Sequence, residues 1–308
     1  MQTFFETLIN GLAVGSLYAL VALGYTMVYG ILKFINFAHS DIVVLGAWIA
    51  FVLARSLGYA TPDAAAPWYA GLLILLVAMT ACGAIGYAVE RLAYKPLRGA
   101  PRLNVLITAI GVSLFLQNTG QLSFLFGASP QRMPSLLPDT PLLTVFGARV
   151  SLVDVVGAGT AVLLMVGLEY LIFHTKLGRA MRAVSYNTSV ASLMGVNVNA
   201  VISFTFVVGS ALAAAAGFLY SMKYVGIKQP ADAGWVMLGL KAFVAAVVGG
   251  IGNIRGAMIG GVMIGLLEFF GAAYVSTQYR DVYVFALLIL VLLFRPAGLF
   301  GRATVEKV

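Results

Sequence analysis

Hydrophobic positions in this chain come in long unbroken runs, not in the i, i+3, i+4 stripe of a helix with one wet face or the alternation of a half-buried strand. A run of about 20 apolar residues is long enough to cross the hydrocarbon core of a bilayer as a helix. The pattern predicts spans over 8–30, 41–57, 69–91, 103–126, 152–174, 199–222, 236–250, 256–276 and 282–300, separated by short polar breaks. The count is eight or nine, because the seventh run is short. The stretch "KAFVAAVVGGIGNIRGAMIGG" (241–261) reads either as the end of a true crossing or as part of a broken or re-entrant helix around 236–256. The expected fold class is all-α, a polytopic integral membrane protein forming one domain over 1–308.

Composition agrees. Of 308 residues, 61% are hydrophobic and 10% charged, whereas soluble domains carry about 25% charged residues. The first run has no Lys or Arg ahead of it and no small-residue cleavage site, so it is expected to stay as a span. The ten prolines fall in loops or at span ends, while many of the 34 glycines lie inside spans. Gly11/Gly15, Gly256/Gly260 and Gly261/Gly265 have the four-residue spacing that lets membrane helices approach closely, and they are expected to pack within the subunit.

The net charge of +8 is distributed beside the spans with no Lys/Arg run of five or more, so nucleic acid is not an expected partner and the excess is topological. With the 92–102 loop inside, Lys33, Arg91, Lys95, Arg98, Arg102, Lys176, Arg179, Arg182, Arg255, Arg295, Arg302 and Lys307 fall on the cytoplasmic side. Arg55, Arg132, Arg149, Lys223, Lys228 and Arg280 fall outside, and Lys241 lies within or near the seventh run. Since cytoplasmic loops carry the Lys/Arg excess, the N-terminus is expected outside and the C-terminus inside. If 236–250 dips in and returns, the C-terminal side changes.

Little in the chain suggests reaction chemistry. One cysteine, Cys82, excludes an internal disulfide and a cysteine-based metal cluster. His39 and His174 bring no adjacent ligand set, so no metal is expected, and no catalytic triad or paired-carboxylate arrangement emerges. Ionisable and amide side chains within the spans are the candidates for function: Lys241, Glu268, Gln117 and Asn118, with Asn36, His39 and Asp41 at the turn between the first two spans. Each has two readings, a place on a transport pathway or a polar contact between helices, and Asn36, His39 and Asp41 have a third, capping a helix. Glu90, beside Arg91, and Asp154 and Glu169 near span ends read as interface pairs. The external loop 127–151 contains Pro130, Pro134, Pro138 and Pro141 and a short hairpin about Gly147, and reads as a docking surface or a connector.

One segment belongs in water. The 175–198 loop, with "GRAMRAVSYNTSVASLMGVN" from 178, is longer than a connection between two helices needs. It predicts helices over 179–186, with Met181 and Val184 on one face, and 188–194, with Val190, Leu193 and Met194 on one face and Gly195 as the stop. Such a segment either lies on anionic lipid or inserts into a groove of a partner.

Joined to "GLAVGSLYALVALGYTMVYGILKFINFAHSDIVVLGAW", "ERLAYKPLRGAPRLNVLITAIGVSLFLQN", "AAVVGGIGNIRGAMIGGVMIG" and "LLFRPAGLFG", the segment "SVASLMG" makes the whole chain resemble the membrane permease of branched-chain amino-acid ABC importers, the type called LivH. It departs at "NFAHSD", where family members usually have Gly and Glu after the His; Ser40 and Asp41 keep the negative charge. The resemblance implies a bacterial inner-membrane subunit working by alternating access. The implied partners are a second homologous permease, two cytoplasmic ATPase subunits and a periplasmic substrate-binding protein. It also implies that 175–198 docks on an ATPase, with Val190, Ala191, Leu193, Met194 and Gly195 at the contact and Arg179 and Arg182 as positioning charges. The chain lacks a G-x-x-x-x-G-K-[S/T] loop, so no cofactor is expected on it and ATP is used by the partners. Two rivals stand beside this reading: a urea or short-chain amide permease of the same machine, and an ion-coupled secondary transporter built on Lys241 and Glu268.

Overall fold

The computed structural model of the protein describes residues 1–59, 66–138 and 141–301, so Arg302 and Lys307 lie outside the described residues. Among the described residues, eight helices are long and apolar enough to cross a membrane. In chain order the helices are α1 (Gln2–Leu32), α2 (His39–Ser56), α3 (Ala70–Val89), α4 (Arg102–Gly120), α5 (Leu152–His174), α6 (Lys176–Tyr186), α7 (Thr188–Leu193), α8 (Val198–Lys223), α9 (Ala233–Gly249), α10 (Ile254–Tyr274) and α11 (Arg280–Phe294). From α5 to α10 every helix begins on a Ser, Thr, Asn or Asp whose side chain accepts a first-turn backbone N–H: Ser151, Thr175, Asn187, Asn197, Asp232 and Asn253. These caps satisfy orphan donors that lipid cannot satisfy, which is why the polar breaks fall where they do.

Helices α1, α2 and α8 form the centre and are mostly buried, while α4, α5 and α11 lie at the periphery. The periphery exposes apolar side chains such as Ile107, Leu163, Val166, Ile289 and Leu293, as a surface solvated by lipid should. Two glycine seams on α10 lock it in place. Any Cβ at Gly261 would come within 2.4 Å of the Ala19 backbone, and one at Gly265 within 2.4 Å of Gly15 Cα, on α1. On the other seam, a Cβ at Gly256 would meet the Gly249 carbonyl at 2.1 Å and one at Gly260 the Ala245 carbonyl at 2.2 Å, on α9. Both seams pack within the chain, as the spacing predicts.

Helix α9 is continuous over 17 residues, about 25 Å at 1.5 Å per residue. It does not dip and return; the break falls after it, in a turn where Gly250 (φ 102°) and Gly252 (φ 93°) adopt backbone that favours glycine. That turn lies beside Gly30 at the end of α1, where α6 also docks through Ser185. Residues 298–301 pack on Gly250 at this same end. At the opposite end, Phe5 stacks on Phe146 at 4.6 Å. There the expected hairpin forms from β2 (Pro141–Val145) and β3 (Ala148–Ser151), after the short strand β1 (Gln131–Arg132), which pairs with β4 (Gly226–Ile227). Residue 1 and residue 301 therefore sit at opposite ends of the bundle, in keeping with α9 as a ninth crossing.

The turn between α1 and α2 differs from expectation. Lys33 takes a left-handed conformation (φ 56°) and the chain folds back into the bundle, so that His39 packs beside Gly24, two turns before the end of α1. Helix α2 thus starts inside the protein. Its N-cap is Ala38, with no side-chain cap, so Asn36, His39 and Asp41 do not cap it; all three are buried.

Candidate functional site

At the end of the bundle that holds 175–198, α6 is fastened to the spans. Gly178 sits where a Cβ would be 2.2 Å from the Ile172 carbonyl, Arg182 donates to Ile172 O, and Ser185 Oγ donates to Gly30 O at 2.6 Å. Met181 and Val184 face the bundle and are buried, while Arg179 points to solvent. Arg182 Cζ also lies 5.4 Å from the Phe173 ring, so this charge is used in holding α6. Helix α7 is different. Ala191 is 4% exposed and seats the helix, but Val190, Leu193 and Met194 are 53%, 86% and 79% exposed, and Gly195 (φ 80°) turns the chain away. The three large apolar side chains thus form a cap pointing away from the protein, carried on α7, which follows directly on α6, the helix tied to α5 and to the end of α1.

A second constellation lies between α1, α9, α10 and α11. Buried Glu268 accepts from Tyr18 Oη at 2.7 Å and from Lys241 Nζ at 3.0 Å. Lys241 Nζ also lies 2.7 Å from Asp281 Oδ1, and Arg280 Nε is 3.3 Å from Glu268 Oε1. Two cations and two carboxylates neutralise each other, which is what makes ionised groups tolerable in an apolar bundle. The group lines a largely polar cavity of about 300 Å³ that also reaches Tyr224, Met237 and Leu238. The Lys241–Glu268 pair is visible in the sequence as two charges within runs; Tyr18, Arg280 and Asp281 are not, since a tyrosine in a span and charges at a span end have no signature of their own.

The remaining polar candidates separate. Gln117 Nε2 donates to Asp41 Oδ1 at 2.8 Å, joining α4 to α2, and Tyr94 Oη donates to Asn36 Oδ1 at 2.6 Å. His39 Nε2 stands 3.2 Å from Val21 O, with Tyr25 edge-on at 4.7 Å. Asn118 joins nothing: its amide bonds Leu114 O of its own helix and it is exposed. Glu90 is paired, but not with its neighbour Arg91. A π turn over Glu90–Tyr94 winds the chain so that Arg98 reaches it, and Ser203 Oγ of α8 donates to it at 2.6 Å. Asp154 pairs with Lys223, and Glu169 with Arg255 at 2.7 Å.

Comparison with known proteins bears on what this arrangement serves. Residues 7–292 match the sequence model of the family described as branched-chain amino acid transport system / permease component. The high-affinity branched-chain amino acid transport system permease protein BraD of Pseudomonas aeruginosa is 45% identical over 99% of this chain and 98% of its own length. The corresponding protein LivH of Escherichia coli is 42% identical, again over 99% and 98%. A probable branched-chain amino acid transport permease protein LivH of Methanocaldococcus jannaschii is 29% identical over 93% and 89%.

Proposed function

The chain belongs to the branched-chain amino acid transport permease family, and from that premise we propose that it is the membrane-spanning subunit of an ATP-driven importer of branched-chain or related amino acids. In this reading it performs no chemistry. Two cytoplasmic ATPase subunits bind and hydrolyse ATP, a periplasmic protein delivers substrate to the end carrying 127–151, and a second permease completes the passage, all at the bacterial inner membrane.

The observation that carries the reading is the cap of Val190, Leu193 and Met194 on α7. Large apolar side chains held out from a membrane protein at a water-facing end lose area to water unless a partner covers them, and burying each fully is worth about 1.5–3 kcal/mol. The attachment of α6 to Gly30 and Ile172 supplies the mechanical link. A partner that closes on ATP and shifts α7 displaces the ends of α1 and α5 with it, which biases the two arrangements of the bundle. Asn36, His39 and Gln117, each bonded or packed to a neighbouring helix, hold the bundle together; Lys241 and Glu268 face the cavity and stand on the pathway.

The test is uptake into proteoliposomes containing the chain with its partner subunits, with and without Leu193→Asp and Gly195→Pro, alongside ATPase co-purification. Proline holds φ near −65° and cannot adopt the +80° of Gly195. The expected result is loss of both ATPase binding and ATP-dependent uptake in each variant. Uptake by the chain alone, indifferent to ATP and to both substitutions, overturns the reading in favour of an ion-coupled carrier using Lys241 and Glu268.

A further inference from the structure

The charged cavity holds more hydrogen-bonding capacity than its own contacts use. Arg280 carries its guanidinium 4.8 Å from the Phe269 ring centroid, and its buried Nε lacks a hydrogen bond among the described residues, since the approach to Glu268 has the distance but not the direction. Asp281 gives one oxygen to Lys241 and remains half exposed on the other side. The cavity opens at the end opposite α6 and α7, beside the first turns of α9 and α11, and its floor is the Lys241–Glu268 pair. Its one apolar wall is Met237 and Leu238.

We propose that this cavity receives the zwitterionic headgroup of an aliphatic α-amino acid. The carboxylate is held by Arg280, the ammonium by Asp281 and the Tyr224 hydroxyl, and the side chain lies against Met237 and Leu238. A carboxylate in the cavity meets the Arg280 guanidinium, which lines it, and a charge-assisted bond there is about twice as strong as a neutral one. A zwitterion brings no net charge into a site whose two cations and two anions already balance. Urea or a neutral amide, by contrast, offers Arg280 no anion and Asp281 no cation, so this site speaks against the amide alternative. At about 300 Å³ the space is at the lower bound of small-molecule pockets. The proposal rests on the importer reading for its choice of substrate and adds to it the place of first contact.

The first readout needs no transport. The one native cysteine, Cys82, is buried, so Gln278→Cys places an accessible thiol on the cavity rim of the intact chain, purified with its partner subunits. Maleimide labelling of that position, read by mass spectrometry of this chain, should slow at least threefold with millimolar L-leucine. It should be unaffected by 3-methylbutylamine, 4-methylpentanoate or urea; Thr277→Cys serves if the first variant fails to assemble. Arg280→Gln should abolish the protection and raise the KM of leucine uptake at least tenfold, with Arg280→Lys partly restoring both. Equal labelling with and without leucine, protection by urea as strong as by leucine, or protection that survives Arg280→Gln overturns the proposal. Leucine protection in a complex without ATP-driven uptake sinks the importer reading and leaves the site; uptake without protection sinks the site alone.

Discussion

Helix α7 and the Glu268 cluster each break the rule of their surroundings, and they do so in opposite ways. At α7, large apolar side chains stand in the open, with Leu193 86% exposed. Around Glu268, charged side chains stand inside an apolar bundle, with Glu268 itself 3% exposed. The second violation is mostly settled within the chain: Tyr18, Lys241 and Arg280 surround the carboxylate, and Asp281 pairs with Lys241. The first is not settled at all, because among the described residues nothing covers Leu193 and Met194. An internally compensated exception is structural or reserved for a small ligand; an uncompensated one calls for a partner protein.

The comparison can be broken from either side. The largest effect is expected from Gly265→Leu, which drives a side chain into the α1 backbone beside Gly15 and Gly11 and separates α10, with Glu268, from Tyr18. Overpacking costs about 1–3 kcal/mol and more when backbone must move, so this variant should lose its monodisperse size-exclusion peak. Gly111→Leu, where a Cβ meets nothing within 4 Å, should keep it.

Next comes Met194→Asp, which should lower ATP-dependent uptake at least tenfold and release the ATPase subunits on purification. Its apparent melting temperature in detergent should match the parent, because the side chain supports no fold contact. A matching loss of thermal stability would place α7 with the structural exceptions instead.

Glu268→Gln should destabilise the chain by roughly 1–3 kcal/mol, less than the full loss of a buried partner because Lys241 keeps Asp281. Combining it with Lys241→Met should restore part of that stability, since the double variant no longer buries the Lys241 cation beside a lost anion; thermal denaturation of the single and double variants checks both. The smallest effect is expected for Asn118→Ala, within about 0.5 kcal/mol and without change in uptake, since that amide only bonds its own helix.

The sequence by itself determined that the chain is a bundle of membrane helices, because lipid leaves the backbone one way to satisfy its hydrogen bonds in a single run and apolar length alone reports it. It also determined the α10 glycine seams, the hairpin at Gly147 and the exposed stripe of α7, each a short-range pattern with a short-range cause. Tertiary structure decided what depends on residues far apart in the chain. Asn36, His39 and Asp41 look like cap residues until the left-handed turn at Lys33 folds them into the bundle beside Gly24. Glu90 looks like the partner of Arg91 until a π turn hands it to Arg98. Glu268 and Lys241 are 27 positions apart, and Tyr18 lies 250 positions from Glu268. Only the packing of α10 antiparallel to both α1 and α9 brings the three together, for an apolar run records that a helix will be buried but not which neighbour will lie against each polar group it carries.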